Sequence, residues 1–392
     1  MKILFISSRF PYPALKGDQV ILFNRLRHLS RKHEITLLTF YENEKEFRYL
    51  DQVKQYCVRL EAVKISKYES IFNVLFLNAF SRLPLQTLYF RSAKFNRRLK
   101  GLMESVDFDL VHTYLLRMAQ YTRQIDKPKV LDLIDCMQLN LEKRLALLKG
   151  PGRIPYGEEL RRIRRYEREI LDNYNASIVV SDADANYLNT ENIVSIPLGI
   201  DTDLYRRTSP LPDNRTIIFS GNMAYPPNEI AVEWFLTHCF EPIRHRVPDV
   251  KLKIVGTNPG NRIRKYHDGQ TIFVTGYVES MTDEIAGARV AIAPMQSGYG
   301  MHIKLLEAMS CGVPVVCTSS ALGVIKAVNG KNVAVADNAT DFAQSCITLL
   351  KDYEGAKKMG NAARAMVTEQ YSWEAHVNQI DTVYHSIAKK GG

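Results

Sequence analysis

The stretch Ser297-Gly-Tyr-Gly-Met-His-Ile-Lys-Leu-Leu-Glu-Ala-Met-Ser-Cys-Gly-Val-Pro-Val-Val-Cys317 predicts a glycine-bearing loop, a short helix and a buried strand. Gly298 and Gly300 permit positive φ and a close backbone approach to a ligand. The helix that follows offers free N–H groups and the positive end of its dipole, which suit a phosphate. Lys304 and Glu307 share one face of this helix because they are three residues apart. A cation and a carboxylate beside a phosphate cradle suit a nucleotide diphosphate, with the carboxylate on the ribose hydroxyls.

Two series of short apolar runs alternate with helical patterns along the chain, which predicts parallel α/β sheets. The first series is Lys2–Ser8, Glu34–Phe40, Arg59–Ile65, Leu110–Tyr114, Val130–Ile134, Ser177–Ser181 and Ile193–Pro197. The second is Ile217–Ser220, Lys251–Val255, Thr271–Thr275, Val290–Pro294, Val313–Cys317 and Asn332–Ala336. Residues 205–215 are polar with two prolines and predict a linker. We therefore predict two doubly wound Rossmann-like domains, 1–204 and 216–372, with a helical segment 373–392 at the end.

Length and composition indicate a globular protein of two domains. The chain has 392 residues, 46% of them hydrophobic and 24% charged. No apolar run approaches the ~20 residues that cross a bilayer. The six cysteines have no metal-ligand spacing, which predicts reduced, buried thiols in a cytoplasmic protein.

A net charge of +10 calls for an anionic partner. The basic residues cluster in the first half, at 91–100 and 153–168, but no nucleic-acid-binding motif accompanies them. Two interpretations remain open: a solvated basic helix face, or a patch that meets an anionic membrane surface. The apolar run Ile71–Phe80 favours the membrane.

The segment Leu306–Val316 resembles the nucleotide-sugar motif of the group 1, or GT4, glycosyltransferases. In many members a paired glutamate precedes the ribose-binding glutamate by eight residues, and here Tyr299 occupies that position. A subgroup instead has Gly-x-x-x-Lys-x-x-Glu, which Gly300, Lys304 and Glu307 fit. The tract Phe108–Asn140 and the element Tyr225–Asn228 resemble a subgroup tied to bacterial exopolysaccharide assembly. The resemblance implies the GT-B fold, in which the two domains face a central cleft and the last helix returns to the first domain.

Further donor-binding residues follow from this resemblance. Ser220–Glu229 lacks the arginine and lysine that many members place here for the diphosphate, and it matches the variant Gly-x-Met-x-Tyr-x-Pro-Asn, with Asn228 as a helix cap. Without that pair, Lys304 and the loop at Gly298–Gly300 are expected to bind the phosphates. The donor-binding residues predicted in the second domain are Gly221, Asn222, Tyr277, Ser297, Gly298, Tyr299, Gly300, His302, Lys304 and Glu307. For Tyr277, packing in the core is an equal alternative.

In the first domain, two positions resemble functional residues of the family, and two aspartates are further candidates. Gly17 lies in the loop between the first strand and the first helix, where the family's backbone approaches the donor phosphates. His112 matches an Asp-x-x-His pattern whose histidine contacts the donor sugar. Asp132 and Asp135 follow the next strand, and either could orient the acceptor hydroxyl or act as its base, with Asp135 preferred.

The pair Asp182 and Asp184 invites a metal interpretation, since GT-A transferases bind a divalent ion through Asp-x-Asp. Here the pair lies where a strand gives way to a helix, which predicts Asp182 as an N-cap and Asp184 as a first-turn dipole partner. The resemblance likewise implies metal-independent chemistry without a cofactor.

Together these features predict a retaining glycosyltransferase that uses a nucleotide diphosphate sugar, with Lys304, His112 and Asp135 as the catalytic residues. The acceptor would be a lipid-linked or growing polysaccharide, and the protein would be cytoplasmic and peripheral at the inner face of the cell membrane. Nucleic acid is not an expected partner. Two alternatives remain: a nonhydrolysing nucleotide-sugar epimerase of the same fold, and a non-catalytic binding protein.

Overall fold

The computed structural model describes residues 1–14, 16–296 and 301–389. The chain divides into two compact units. Unit 1 comprises Met1–Leu198 together with the chain from His376 onward, and unit 2 comprises Gly199–Ala375. Each unit has its own parallel sheet, so each has its own core and its own edge for a site.

Short apolar runs form the strands of unit 1 because helices cover both faces of the sheet. Ile3, Leu4 and Phe5 of the central strand are wholly buried. The strands are β1 (Lys2–Ser7), β2 (Glu34–Tyr41), β3 (Arg59–Lys64), β4 (Leu110–Tyr114), β5 (Lys129–Ile134), β6 (Ala176–Val179) and β7 (Ile193–Ser195). They pair in parallel in the order β3-β2-β1-β4-β5-β6-β7.

Helices connect these strands and supply the two hydrophobic layers. They are α1 (Gly17–Leu29), α2 (Leu50–Lys54), α3 (Lys67–Phe76), α4 (Leu85–Tyr89), α5 (Ala93–Ser105), α6 (Ala119–Thr122), α7 (Met137–Leu147), α8 (Arg153–Leu171) and α9 (Asp182–Leu188). Phe95 and Leu99 of α5 belong to one buried layer. Ile163 and Ile170 of α8 belong to the other. The spacings of four and seven residues place each pair on one helix face, which is why these helices pack flat on the sheet.

Unit 2 repeats the plan with six parallel strands. They are β8 (Thr216–Ser220), β9 (Lys251–Val255), β10 (Ile272–Gly276), β11 (Val290–Ala293), β12 (Val315–Cys317) and β13 (Ala334–Val335), in the order β10-β9-β8-β11-β12-β13. Its helices are α10 (Pro226–Phe235), α11 (Glu241–Arg246), α12 (Asn261–Arg264), α13 (Met281–Ala286), α14 (Ile303–Ser310), α15 (Ser319–Leu322), α16 (Ala339–Lys351) and α17 (Tyr353–Tyr371). The last helix, α18 (Trp373–Ala388), belongs to unit 1 from His376 onward. The prediction of two doubly wound parallel sheets is confirmed.

The strand order reverses beside the first strand of each sheet, between β1 and β4 in unit 1 and between β8 and β11 in unit 2. Loops leaving the carboxyl ends of these neighbouring strands turn in opposite directions and leave a crevice there, the usual ligand position in such folds. In unit 2, Gly221 follows β8 and Lys304 follows β11. Both therefore lie at the edge where a ligand is expected.

Most of α18 packs into unit 1 through polar contacts. His376 accepts a 3.0 Å hydrogen bond from the Arg25 guanidinium, and Tyr384 bonds His112. Asp381 accepts a 2.9 Å bond from Lys32. These contacts tie the end of the chain to α1 and β4, two elements that carry predicted site residues.

The predicted C-terminal helical segment begins at Trp373, as α18 does. Two local predictions, both about helix caps, are wrong. Asp182 is not an N-cap: Ser181 has that role and bonds the backbone N–H of Asp184. Asn228 is not a cap either, because α10 begins two residues earlier at Pro226, a residue whose missing N–H suits the first turn.

The described helices include none that is long and apolar enough to cross a membrane. The six cysteines are free thiols. Five are buried and Cys57 is half-buried, so the prediction of buried cysteines holds for all but that one.

Candidate functional site

Two glycines bring the loops of unit 2 together at the carboxyl edge of the sheet. The Gly221 N–H donates to the Val255 carbonyl at 2.9 Å, and the Gly256 N–H donates to the Gly276 carbonyl at 3.1 Å. Gly256 has φ of 143°, and a Cβ there would collide with the Gly221 carbonyl. Only glycine permits this approach, so the loops after β8 and β9 meet backbone to backbone at this edge.

Lys304 places its ammonium at this edge from the first turn of α14. Its Nζ donates a 2.6 Å hydrogen bond to the Asn228 side-chain oxygen and lies 4.2 Å from the centre of the Phe219 ring. Burial lowers the pKa of Lys304 to about 8, although Glu307 acts in the opposite direction. An ammonium that is still largely charged at neutral pH, and only partly hydrated, attracts an anion strongly.

Glu307 lies one turn further along α14 and is half-buried. Burial raises its pKa, while a hydrogen bond from the Tyr205 hydroxyl and the charge of Lys304 lower it in part. A partly desolvated carboxylate with one fixed donor keeps acceptor capacity for further hydroxyl groups. The geometry therefore places a cation and a partly buried carboxylate on one helix face, as the spacing of three residues predicts.

His302 is the residue that precedes α14. Burial lowers its pKa, and the neighbouring Lys304 lowers it further. Its Nε2 is buried and has no hydrogen-bond partner among the described residues. The neutral ring thus adds a polar atom to the start of the helix whose N–H groups favour anions.

Asn228 is the site residue that sequence reasoning missed. Its side chain is buried and bridges two elements: its oxygen accepts from Lys304, and its nitrogen donates to the Asn222 carbonyl at 2.8 Å. A Cβ on Gly221 would lie 2.8 Å from the Asn228 side-chain nitrogen and 3.1 Å from the Lys304 Nζ. The signal was present in the Gly-x-Met-x-Tyr-x-Pro-Asn match, but helix capping explained the asparagine equally well.

The remaining predicted donor-binding residues of unit 2 lie around the same edge. Asn222 follows β8, and its side-chain oxygen accepts from the Ala224 N–H at 3.0 Å. Tyr277 follows β10 and is 75% exposed, so it is available to a ligand and is not packed in the core. Four predicted residues lie outside the described residues: Ser297, Gly298, Tyr299 and Gly300.

His112 lies in the interior of unit 1 and is wholly buried in β4. Its ring stacks on Phe5 at 4.0 Å between centroids. The Nε2 lies 3.3 Å from the Asp132 carboxylate, and the Nδ1 lies 2.7 Å from the Tyr384 hydroxyl. Burial and the nearby Arg25 charge hold the pKa of His112 well below its usual range. The neutral ring therefore joins α18 to the sheet, and its contact with a donor sugar stays a prediction.

The two candidate aspartates, Asp132 within β5 and Asp135 directly after it, differ in exposure. Asp132 is wholly buried and forms an ion pair with Arg25. Asp135 is half-buried at the carboxyl end of β5, and burial and the charge of Asp184 raise its pKa, while Lys143 opposes this. Of the two carboxyls, the one on Asp135 is placed to meet a ligand.

Gly17 is the first residue of α1, at the carboxyl edge of the unit 1 sheet. A Cβ at this position would meet no described atom within 4 Å. Next to it, Asp18 accepts a 2.9 Å bond from Arg9 and lies 3.5 Å from Arg117. Two guanidinium groups against one carboxylate leave this corner positive, which suits a phosphate-bearing ligand.

No group of three side chains that could hold a metal ion occurs in the described parts of the chain. Asp184 is instead engaged locally, since it accepts the Cys136 N–H at 3.2 Å and bonds the Ser181 hydroxyl. The Asp-x-Asp pattern here stabilises two helix starts.

Comparison with known proteins shows which proteins this chain is similar to. Residues 214–352 match the family described as "Glycosyl transferases group 1". An uncharacterized 44.6 kDa protein in the cps region of Klebsiella pneumoniae is 25% identical, over 94% of this chain and 96% of its own. The N-acetyl-alpha-D-glucosaminyl L-malate synthase of Bacillus anthracis is 30% identical, over 36% of this chain and 39% of its own.

Among solved structures, Anabaena HepE in complex with UDP superposes with a TM-score of 0.67 at 16% identity, covering 98% of this chain and 100% of that one. The same protein has been solved with UDP-glucose, at a TM-score of 0.62. At this identity the likeness establishes the fold.

The two parallel sheets and these neighbours show the GT-B fold. The match to the group 1 family model identifies the enzyme class as a glycosyltransferase. Within that class, the similarity to the group 1 glycosyltransferase family model is confined to the matched residues, 214–352. The predicted class of enzyme and the predicted fold are confirmed.

Proposed function

We propose that this enzyme transfers a sugar from a nucleotide diphosphate sugar to a lipid-linked or growing glycan acceptor, with retention of configuration. The observation that carries the proposal is the pair Lys304 and Glu307 on the first turns of α14, at the switch point of the unit 2 sheet. The UDP and UDP-glucose complexes of the Anabaena neighbour support a uridine nucleotide as the first donor to test.

Lys304 would bind the diphosphate and stabilise it as it departs. Negative charge develops on the leaving phosphate oxygen as the glycosidic bond of the donor breaks. A positioned, partly desolvated ammonium beside helix N–H groups stabilises that charge more than it stabilises the intact donor. Because Asn228 and the Phe219 ring already hold the ammonium, little reorganisation is needed during the reaction.

Glu307 would anchor the nucleoside by accepting hydrogen bonds from the paired ribose hydroxyls. Its bond with Tyr205 fixes the carboxylate orientation before the ligand arrives. Tyr277 is exposed at the same edge and would stack near the base. No metal ion or cofactor has a role in this scheme.

On the acceptor side, Asp135 would orient the attacking hydroxyl or accept its proton. Its raised pKa brings the carboxyl closer to the range in which a base accepts a proton during the reaction. Gly17 would let the start of α1 approach the phosphates. For His112 the contacts favour a supporting role, in which the ring holds β4 and α18 in place.

The proposed setting is the cytoplasmic face of a membrane, in exopolysaccharide or other cell-surface glycan synthesis. The net charge of +10 and the relative from a cps region support it. An anionic surface would concentrate a basic protein beside a lipid-linked acceptor.

The test of the donor site is a thermal-shift panel of UDP, GDP, ADP and their sugars on the wild type and Glu307→Ala. A ligand at about 100 times its dissociation constant stabilises the folded state by about 2.7 kcal/mol. One nucleotide should stabilise the wild type and not the variant. If no nucleotide shifts a folded wild type, the donor-site assignment is wrong.

Product analysis then separates the proposed reaction from the alternatives. Incubation with the stabilising nucleotide sugar and an extract of lipid-linked glycan should release the nucleoside diphosphate and extend the glycan. Release of a free epimer without acceptor would instead identify an epimerase. Binding without either product would identify a non-catalytic protein.

A further inference from the structure

Helix α3 buries polar residues and exposes large apolar ones. The residues it buries are polar: Ser70 is 2% exposed and Asn73 is 7% exposed. Five of its exposed residues are large and apolar, between 53% and 89% exposed, and recur at helical spacing: Tyr68, Ile71, Phe72, Leu75 and Phe76. Lys67 and Glu69, in its first turn, are the charged residues that it exposes. A helix on a globular core normally presents the opposite pattern, so this face needs an apolar environment of its own.

Polar contacts fix the orientation of this helix. The Asn73 side-chain amide donates a 2.8 Å hydrogen bond to the Arg91 carbonyl, and the Ser66 side chain caps the helix start. On the outer face, the rings of Phe72 and Phe76 stack with centroids 4.6 Å apart. The apolar stripe therefore points outward as a preformed surface.

The stripe continues beyond α3 into a basic recess. Phe80, which follows the helix, is 92% exposed. Arg162 of α8 donates hydrogen bonds to the Asn78 side chain and, at 3.3 Å, to the Leu83 carbonyl, so α8 lies against the same connecting segment. A recess of about 350 Å³ is lined there by Arg82, Glu158, Arg161, Arg162 and Arg165. Glu158 pairs with Arg161 and Arg162, and Arg165 pairs with Glu169 beside the lining, so four arginines against two glutamates leave a net charge of +2.

We propose that the stripe on α3 with Phe80, together with this arginine recess, is the surface that docks the enzyme on an anionic lipid bilayer. Aromatic and aliphatic side chains on one face of a helix bury themselves at the boundary of headgroups and acyl chains. Arginine forks match lipid phosphates, and each basic residue near an anionic surface raises binding roughly fivefold. At ten residues, or about 15 Å, α3 lies in the interface and does not cross it.

Charge decides between a bilayer and a protein partner. An apolar stripe alone would fit either, but a recess with a net charge of +2 beside it matches a plane of phosphate headgroups over an apolar layer. The surface lies in unit 1 and includes none of the donor-binding residues of unit 2. The inference therefore stands apart from the proposed donor site, and each can fail without the other.

Co-sedimentation of the full chain with vesicles tests the apolar stripe. Wild type should bind vesicles of phosphatidylcholine mixed with phosphatidylglycerol, and bind phosphatidylcholine alone at least roughly tenfold more weakly. Phe72→Ser/Phe76→Ser should weaken binding by roughly tenfold or more. The matched control is Val58→Ser/Val328→Ser, which removes two side chains that are 68% and 57% exposed elsewhere; its vesicle binding should equal that of the wild type.

The arginine recess is tested by charge reversal. Arg82→Glu should reduce binding to the mixed vesicles and weaken its dependence on salt, because one phosphate contact is lost. Lys331→Glu, an exposed position in unit 2, changes the net charge equally and should leave binding almost unchanged. Equal losses in the two variants would mean that total charge, not this recess, attracts the bilayer, and would overturn the assignment.

Two further measurements on the wild type and the Phe72→Ser/Phe76→Ser variant complete the test: nucleotide binding and the molecular mass in solution. The Phe72 and Phe76 variant should keep its thermal shift with nucleotide, which establishes that it is folded. A wild type that binds nucleotide but no anionic vesicle refutes the docking surface and leaves the donor site intact. If the same variant converts a dimer in solution into a monomer without any change in vesicle binding, the stripe is instead an interface between two copies of the chain.

Discussion

The Lys304 ammonium donates a 2.6 Å hydrogen bond to the side-chain oxygen of Asn228, and both residues lie in the first turn of a helix. Asn228 is neutral, and so is the Phe219 ring under the ammonium. The two contacts position the ammonium without cancelling its charge. In the proposed donor site, this one positioned cation would do the work of the arginine and lysine that the family resemblance leads one to expect.

Asn228→Ala should weaken nucleoside diphosphate binding about tenfold. A hydrogen bond to a charged group contributes roughly 1.5–3 kcal/mol, and part of that loss appears as poorer placement of Lys304. Isothermal titration with the nucleotide from the thermal-shift panel measures the change. Asn261→Ala, at the exposed start of α12, is the matched control and should bind normally. Unchanged affinity in Asn228→Ala would show that Lys304 needs no support.

Donor affinity should fall as pH rises through about 8. The Lys304 pKa is lowered to about 8, so the cation that attracts the diphosphate is present below that pH and is lost above it. Above the midpoint the affinity should drop about tenfold per pH unit. Lys304→Arg should bind evenly up to about pH 10, because a guanidinium stays charged.

A second variant checks the origin of that midpoint. Asn228→Asp places a carboxylate 2.6 Å from the ammonium, which favours the charged lysine and should move the midpoint to higher pH. The dissociation constant measured across the pH series gives both midpoints. If the pH midpoint of donor affinity is the same as in the wild type in both Lys304→Arg and Asn228→Asp, a group other than Lys304 titrates.

Glu307→Ala should lower nucleotide affinity by at least about tenfold while leaving inorganic pyrophosphate binding unchanged. The carboxylate contacts the ribose in the proposed pose, so a ligand without ribose loses nothing. Competition titrations with both ligands distinguish the two effects. Glu369→Ala, an exposed glutamate of α17, serves as the control. Parallel losses for nucleotide and pyrophosphate would mean that the variant disturbs Lys304 instead.

Gly17→Ala should reduce transfer activity without lowering stability. An added Cβ meets no described atom within 4 Å, and alanine at a helix start restricts the unfolded chain, so the free energy of unfolding should hold or rise by roughly 0.4–1 kcal/mol. Activity should fall because the methyl group would stand where the backbone meets the phosphates. Gly101→Ala in α5 has equal room and should gain stability with full activity. Full activity in both variants would remove Gly17 from the site.

Glu167 should make the protein less stable as pH rises from about 4.5 to about 7. Its carboxyl is buried and accepts the Met137 N–H at 3.0 Å, and burial raises its pKa to about 7 from 4.5. Between those values the folded state holds a proton that the unfolded state releases, so stability falls across this window, by roughly 3 kcal/mol in all.

Glu167→Gln removes that titration. Relative to the wild type, the variant should therefore gain free energy of unfolding as pH rises from about 5 to about 8. Urea unfolding at both pH values measures the difference, with the half-exposed Glu169→Gln on the same helix as control. A difference between Glu167→Gln and the wild type that is independent of pH would contradict the raised pKa.

The strands and the main motif could be predicted because their information is local. β4 and β9 have the bounds that their apolar runs predict, and the other strands differ by a few residues at their ends. Apolar runs of this length, separated by helical patterns, leave few alternatives to a parallel sheet. Lys304 and Glu307 share a face for an equally local reason, the helical period.

Contacts between distant parts of the chain could not be predicted in the same way. Asn228 and Lys304 are 76 residues apart, and no local pattern joins them. His112 has the sequence context of a ligand-binding residue, yet the tertiary structure surrounds it with Phe5, Asp132 and Tyr384.

The sequence alone therefore determined the two α/β sheets and the cation and carboxylate on α14, because periodicity and helix geometry act over a few residues. The tertiary structure decided which groups flank that cation, which of Asp132 and Asp135 stays accessible, and that α3 turns its apolar face outward. These outcomes depend on which surfaces are buried when distant segments pack, and burial sets both the accessibility and the pKa of each group.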